Sequence, residues 1–85
     1  MKRLSNPKVQ AAIAEIQRRI RARYPEATFE AYPDRETGHI LVYAWVDTDE
    51  YFPVVELVSD YLSDLLVHED IPMLVLPQLA PARAS

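Results

Sequence analysis

The segment Ile40-Leu41-Val42-Tyr43-Ala44-Trp45-Val46 constrains this chain more than any other. Its residues are all apolar, with β-branched and aromatic types frequent, and turn or polar residues flank it at Gly38 and Asp47. That composition reads as a β-strand. Successive side chains of a strand point to opposite faces, so Ile40, Val42, Ala44 and Val46 line one face and Leu41, Tyr43 and Trp45 the other. A hairpin strand with one wetted face shows polar residues at alternate positions. This strand shows none, so both of its faces call for cover.

Length limits what can supply that cover. Eighty-five residues make one domain, and a chain of this size buries only about 60–65% of the surface its unfolded form exposes. There is no cysteine, which excludes disulfides, thiolate metal sites and thiol nucleophiles and fits a reducing compartment. No run of about 18 apolar residues is present, so no membrane span is expected. The start, Met1-Lys2-Arg3-Leu4-Ser5-Asn6-Pro7, is basic without an apolar stretch and does not read as a secretory signal. A cytoplasmic location is expected.

Periodicity supplies the other elements. Ser5-Asn6-Pro7 is a helix start, a capping side chain followed by proline. Val9, Ile13, Ile16, Ile20 and Tyr24 then recur at steps of three and four, and Pro25 ends the helix. Ala27 to Tyr32 alternates as a half-buried strand, with Pro33 as its stop. Asp34-Arg35-Glu36-Thr37-Gly38 is a turn leading into the strand at His39 to Val46. From Tyr51 or Phe52 to Val67 the pattern is that of one second helix, ending near His68-Glu69-Asp70-Ile71-Pro72. Pro72 to Leu76 is a short edge strand stopped by Pro77.

The order is α-β-β-α-β. It predicts a two-layer α/β fold, a three-stranded mixed sheet with both helices on one face. The second and third strands are expected to run parallel, joined by a right-handed crossover. Residues 1–77 form the domain and 78–85 a flexible tail.

Asp47-Thr48-Asp49-Glu50 invites an enzyme reading, because carboxylates at D-x-D spacing suit Mg²⁺. The order α-β-β-α-β also resembles the minimal core of the nucleotidyltransferase fold. That family has a Gly-Ser or Gly-Gly phosphate loop after its first strand, where this chain has Tyr32-Pro33-Asp34-Arg35. Its acids open the second strand, whereas Asp47 and Asp49 close it. The resemblance is one of topology, and no catalytic residue carries over. Helix capping accounts for the same acids with fewer requirements, since Asp47-x-x-Glu50 has capping-box spacing.

Glu56, Asp60 and Asp64 fall on one line of the second helix and His68 continues it. Asp64 and His68 could chelate a transition metal, but charges at helical spacing read first as a solvated acidic face. His39 has no paired nucleophile, and no serine stands in a nucleophile elbow. No catalytic residue, metal site or cofactor is expected.

Charge divides along the chain. Residues 1–24 hold seven bases and one acid, and residues 25–85 two bases and twelve acids, for a net charge of −4. Arg18, Arg19, Arg21 and Arg23 make a basic patch at the end of the first helix that could contact phosphates. The acidic remainder opposes nucleic acid as the main partner. Pairing of these arginines with the acids of the second helix is expected, within or between chains.

The second apolar strand face is the expected interface. Leu41, Tyr43 and Trp45, joined by Tyr32 or Phe29 according to register, would lie opposite the helices. A homodimer packing sheet on sheet is the simplest cover. Another protein, a peptide or a stacked base would also suit these side chains.

Three stretches, Asn6-Pro7-Lys8-Val9-Gln10 with Ile16, Arg21-x-Arg23-Tyr24-Pro25-Glu26-Ala27-Thr28-Phe29, and Leu65-Leu66-Val67-His68-Glu69-Asp70-Ile71-Pro72 through Leu76-Pro77, are similar to small uncharacterised bacterial proteins. The resemblance implies a bacterial, compact α/β domain and brings no activity or site residue. The expected function is a non-enzymatic interaction or assembly module. An antitoxin-like, nucleic-acid-linked regulator using the four arginines is the first alternative. A metal-dependent enzyme at Asp47/Asp49 or Asp64/His68 is the second.

Overall fold

The computed structural model describes residues 6–80. Helix α1 spans Pro7–Arg23, strand β1 Thr28–Pro33, strand β2 Ile40–Val46, helix α2 Tyr51–Glu56, helix α3 Ser59–Glu69 and strand β3 Met73–Leu79. The strands form one sheet in the order β1-β2-β3. β1 pairs antiparallel with β2, from Thr28 opposite Trp45 to Pro33 opposite Ile40. β3 pairs parallel with β2, from Met73 beside Ile40 to Leu79 beside Val46. The strand with two apolar faces is thus the central one.

α1 begins as its sequence dictates. The Asn6 side chain accepts a hydrogen bond from the Lys8 amide at 2.8 Å, and Pro7 takes the first helical position, where its missing N–H costs nothing. Tyr24 closes the helix by donating its amide to the Ile20 carbonyl at 2.7 Å. Val9, Ala12, Ile16 and Ile20 are buried along one stripe. They meet Ile40, Val42, Ala44 and Val46 of β2, Met73 and Val75 of β3, and Val54, Val58 and Leu65 from the other helices. Every buried strand residue points to this one face, so all three helices cover the same side of the sheet.

The second helix is not continuous. Leu57 and Val58 interrupt it, with amides donating to the carbonyls of Val54 and Val55 at 3.2 and 3.0 Å. Val58 has φ −127° and ψ −4° and is fully buried. Three valines fall between positions 54 and 58, and β-branched side chains lose rotamer freedom in a helix. Local preference is weak there, and packing of Val54 and Val58 sets the backbone instead.

Two strands run past their expected stops. β1 takes in Pro33, and β3 continues through Pro77 to Leu79, with the Ala80 amide donating to the Val46 carbonyl at 2.7 Å. Both are edge strands, where the N–H that proline lacks is not needed by a neighbour. Gln78 and Leu79 therefore belong to the sheet and not to a tail, and residues 81–85 of that expected tail lie outside the described residues.

The Asp47-x-x-Glu50 capping box does not form. α2 starts three residues later than that box requires, with Glu50 rather than Asp47 as its N-cap and no side-chain cap bond. The Glu50 amide donates instead to the Thr48 hydroxyl oxygen at 3.1 Å, a local turn that keeps the acids ahead of the helix.

α3 ends on a left-handed residue. Asp70 has φ 56°, its amide donates to the Leu65 carbonyl, and the Ile71 amide donates to the same carbonyl at 3.0 Å. Glycine adopts this conformation without a Cβ penalty. Asp70→Gly is expected to raise unfolding stability by about 0.5–1 kcal/mol, and Asp70→Val to lower it by about 1–2 kcal/mol, measured by urea denaturation.

Candidate functional site

The sheet face away from the helices is a three-by-three array. β1 contributes Thr28, Glu30 and Tyr32, β2 contributes Trp45, Tyr43 and Leu41, and β3 contributes Gln78, Leu76 and Leu74. Register settles the choice left open by the sequence: Tyr32 lies on this face, and Phe29 packs toward the core. Tyr32 and Leu74 are 46% and 44% exposed, more than single strand residues packed under a layer would be.

The aromatic rings on this face touch in series. Tyr32 meets Tyr43 edge to face, with centroids 5.8 Å apart and planes at 74°. Tyr43 stacks on Trp45 at 5.8 Å and 25°. Such pairs are the geometries that ring quadrupoles favour. Glu30 stands directly opposite Tyr43, and its Oε1 accepts a hydrogen bond from the Tyr32 hydroxyl. That bond raises the Tyr32 phenol above its ordinary pKa. Together Glu30, Tyr32, Leu41, Tyr43 and Trp45 line a shallow concavity of about 430 Å³. Sequence reasoning found four of these five. It missed Glu30, whose signal was its place two residues before Tyr32 on the same strand face.

The four arginines are engaged by side chains and backbone close to α1. Glu15 accepts from Arg18 Nη2 at 2.6 Å and from Arg19 Nε at 2.7 Å. Arg19 also lies over the Tyr61 ring at 4.8 Å, and Arg21 over Phe29 at 5.1 Å while its Nε donates to the Ala27 carbonyl at 3.2 Å. Arg23 sits 5.9 Å over Tyr24. Among the described residues the expected pairing with Glu56, Asp60 and Asp64 is not present: Arg18 and Arg19 pair instead with Glu15, one turn away on the same helix. Among the described residues the ion pair that joins α1 to α3 is Lys8 with Glu69, at 3.3 Å.

Asp47 and Asp49 are exposed before α2, and Asp64 and His68 on α3. Among the described residues no three His, Cys, Asp or Glu side chains come together in a way that could hold a metal ion. Asp64 and His68 instead edge a groove of about 320 Å³ between α1 and α3, floored by Ala11, Leu65 and Ile71. His39 lies half-buried at the end of the hairpin turn, and its Nδ1 has no hydrogen-bond partner. No described helix is long and apolar enough to cross a membrane.

The two guanidinium groups hold the Glu15 carboxyl far below its ordinary value, from 4.5 to about 2. A carboxylate depressed in the folded state adds stability above its unfolded pKa and loses it as pH falls toward the folded value. Glu15→Gln is therefore expected to lower thermal stability at pH 7, with the deficit closing as pH falls from 4.5 to about 2. Melting curves of both proteins across that range check it.

No family model matches this chain, and neither a curated protein nor a solved structure does.

Proposed function

We propose that this chain is a small non-enzymatic interaction module whose contact surface is the open sheet face. The observation that carries the reading is the array of Tyr32, Leu41, Tyr43, Trp45, Leu74 and Leu76 on the side of the sheet without helices. Its centre is apolar and aromatic, and the polar Thr28, Glu30 and Gln78 stand at its edges. An apolar, aromatic centre within a polar rim is the anatomy of protein interfaces. The core is already complete beneath the helices, so these side chains are not needed for it.

Two occupants meet the requirement. A second copy packing sheet on sheet gives a homodimer, the simplest arrangement by symmetry. A different protein is the other. A bacterial, cytoplasmic setting belongs to the same reading, supported by the resemblance in sequence and the lack of cysteine.

A photo-reactive residue at the centre of the face tests the reading directly. Tyr43→p-benzoylphenylalanine is expected to give a discrete cross-linked protein product in cells, and the same replacement at Asp60 on α3 none. Absence of a product at Tyr43 overturns the reading, whether or not Asp60 gives one.

A further inference from the structure

Charge separates the two occupants. Among the residues that the three strands turn to the open face, Glu30 is the one charged group. Two copies related by a twofold axis would share a face with two carboxylates and no base from either chain. Like charges set against each other oppose pairing, whereas a basic partner is complementary.

The geometry around Glu30 is that of a cation seat. Tyr32 engages Oε1, and Glu30 makes no other hydrogen bond or ion pair among the described residues, so Oε2 is open to a donor. Beside it stand Tyr43, Trp45 and Tyr32, whose π faces carry negative potential. A planar guanidinium fits this combination better than an ammonium. It can lie flat on an aromatic ring while its edge donates to the carboxylate.

We propose that the open face receives an arginine side chain from an extended, basic segment of a partner protein. The guanidinium would sit in the concavity lined by Glu30, Tyr32, Leu41, Tyr43 and Trp45. This inference rests on the open face being the contact surface, and it names the chemistry of what covers that face. The segment's apolar residues would lie along Leu74 and Leu76, next to the seat.

Trp45 is the sole tryptophan, so its fluorescence reports on the seat itself. The probe is a capped pentapeptide with two arginines alternating with alanines, and its control carries citrulline in place of arginine. At low ionic strength the arginine peptide is expected to give a saturable change and the citrulline peptide a weaker one. Glu30→Gln is expected to weaken the arginine peptide by roughly three- to tenfold, the weight of one exposed charge-assisted contact. Tyr43→Leu keeps the apolar volume and removes the ring, so it should narrow the preference for arginine over citrulline to the part that the Glu30 carboxylate supplies. Circular dichroism and melting temperature confirm that both variants fold. No saturable change up to millimolar peptide, or equal binding of the two peptides, overturns the proposal. So does a wild-type dimer in light scattering that Trp45→Ser splits, which would leave the contact surface standing and make its occupant a second copy. Absence of a Tyr43 cross-link fails the broader reading instead, so the two failures are distinct.

Discussion

Central placement of β2 governs the rest of this structure. Ile40, Val42, Ala44 and Val46 are buried because a strand on each side closes the hydrogen-bond ladder and three helices close one face. The interior formed there contains no buried polar or charged side chain among the described residues. Each fully buried aliphatic side chain contributes about 1.5–3 kcal/mol by leaving water, which is how so short a chain meets the conformational entropy of folding. The same arrangement uses all the helices on one side. Leu41, Tyr43 and Trp45 alternate with the core residues along one backbone, so they must point away from the layer that covers it. Their exposure follows from the core and is not an independent feature.

Electrostatics reinforce the packing mostly within elements. Glu15 gathers Arg18 and Arg19 on α1, and Asp34 closes the hairpin turn by accepting from the Glu36 amide at 3.1 Å and the Thr37 hydroxyl at 2.8 Å. Those two donors hold the Asp34 carboxyl below its ordinary value. Opposite charge across the helices is confined to Lys8 and Glu69 among the described residues, so the asymmetry along the sequence does not become one large contact between basic and acidic faces.

Most of the fold was legible because its signals are local and strong. The α1 stripe, the Asn6-Pro7 start, the glycine at φ 79° in the hairpin and the alternation of β2 all act within a few residues. The candidate face was legible for the same reason, since strand alternation places Leu41, Tyr43 and Trp45 together whatever the register. Choosing between Tyr32 and Phe29 required the pairing itself. The break at Val58 was not legible, because Val54, Val58, Leu62 and Leu65 keep helical spacing on either side of it. Pro77 misled for a different reason: proline ends a strand inside a sheet but not at its margin. Glu30 was visible as a residue and not as a neighbour of Tyr43, a relation that exists only across strands.

The proline in β3 has a further consequence for a sheet with one bare face. An outer strand that offers a full row of backbone donors is a template for the strand of another molecule, and repeated pairing of that kind ends in aggregation. Pro77 removes one donor from β3, and Pro33 closes β1 at the opposite margin. Sideways growth of the sheet therefore loses a bond at either edge. The broad face has no such backbone groups to offer, so under the proposed reading any association there would be chosen by side chains.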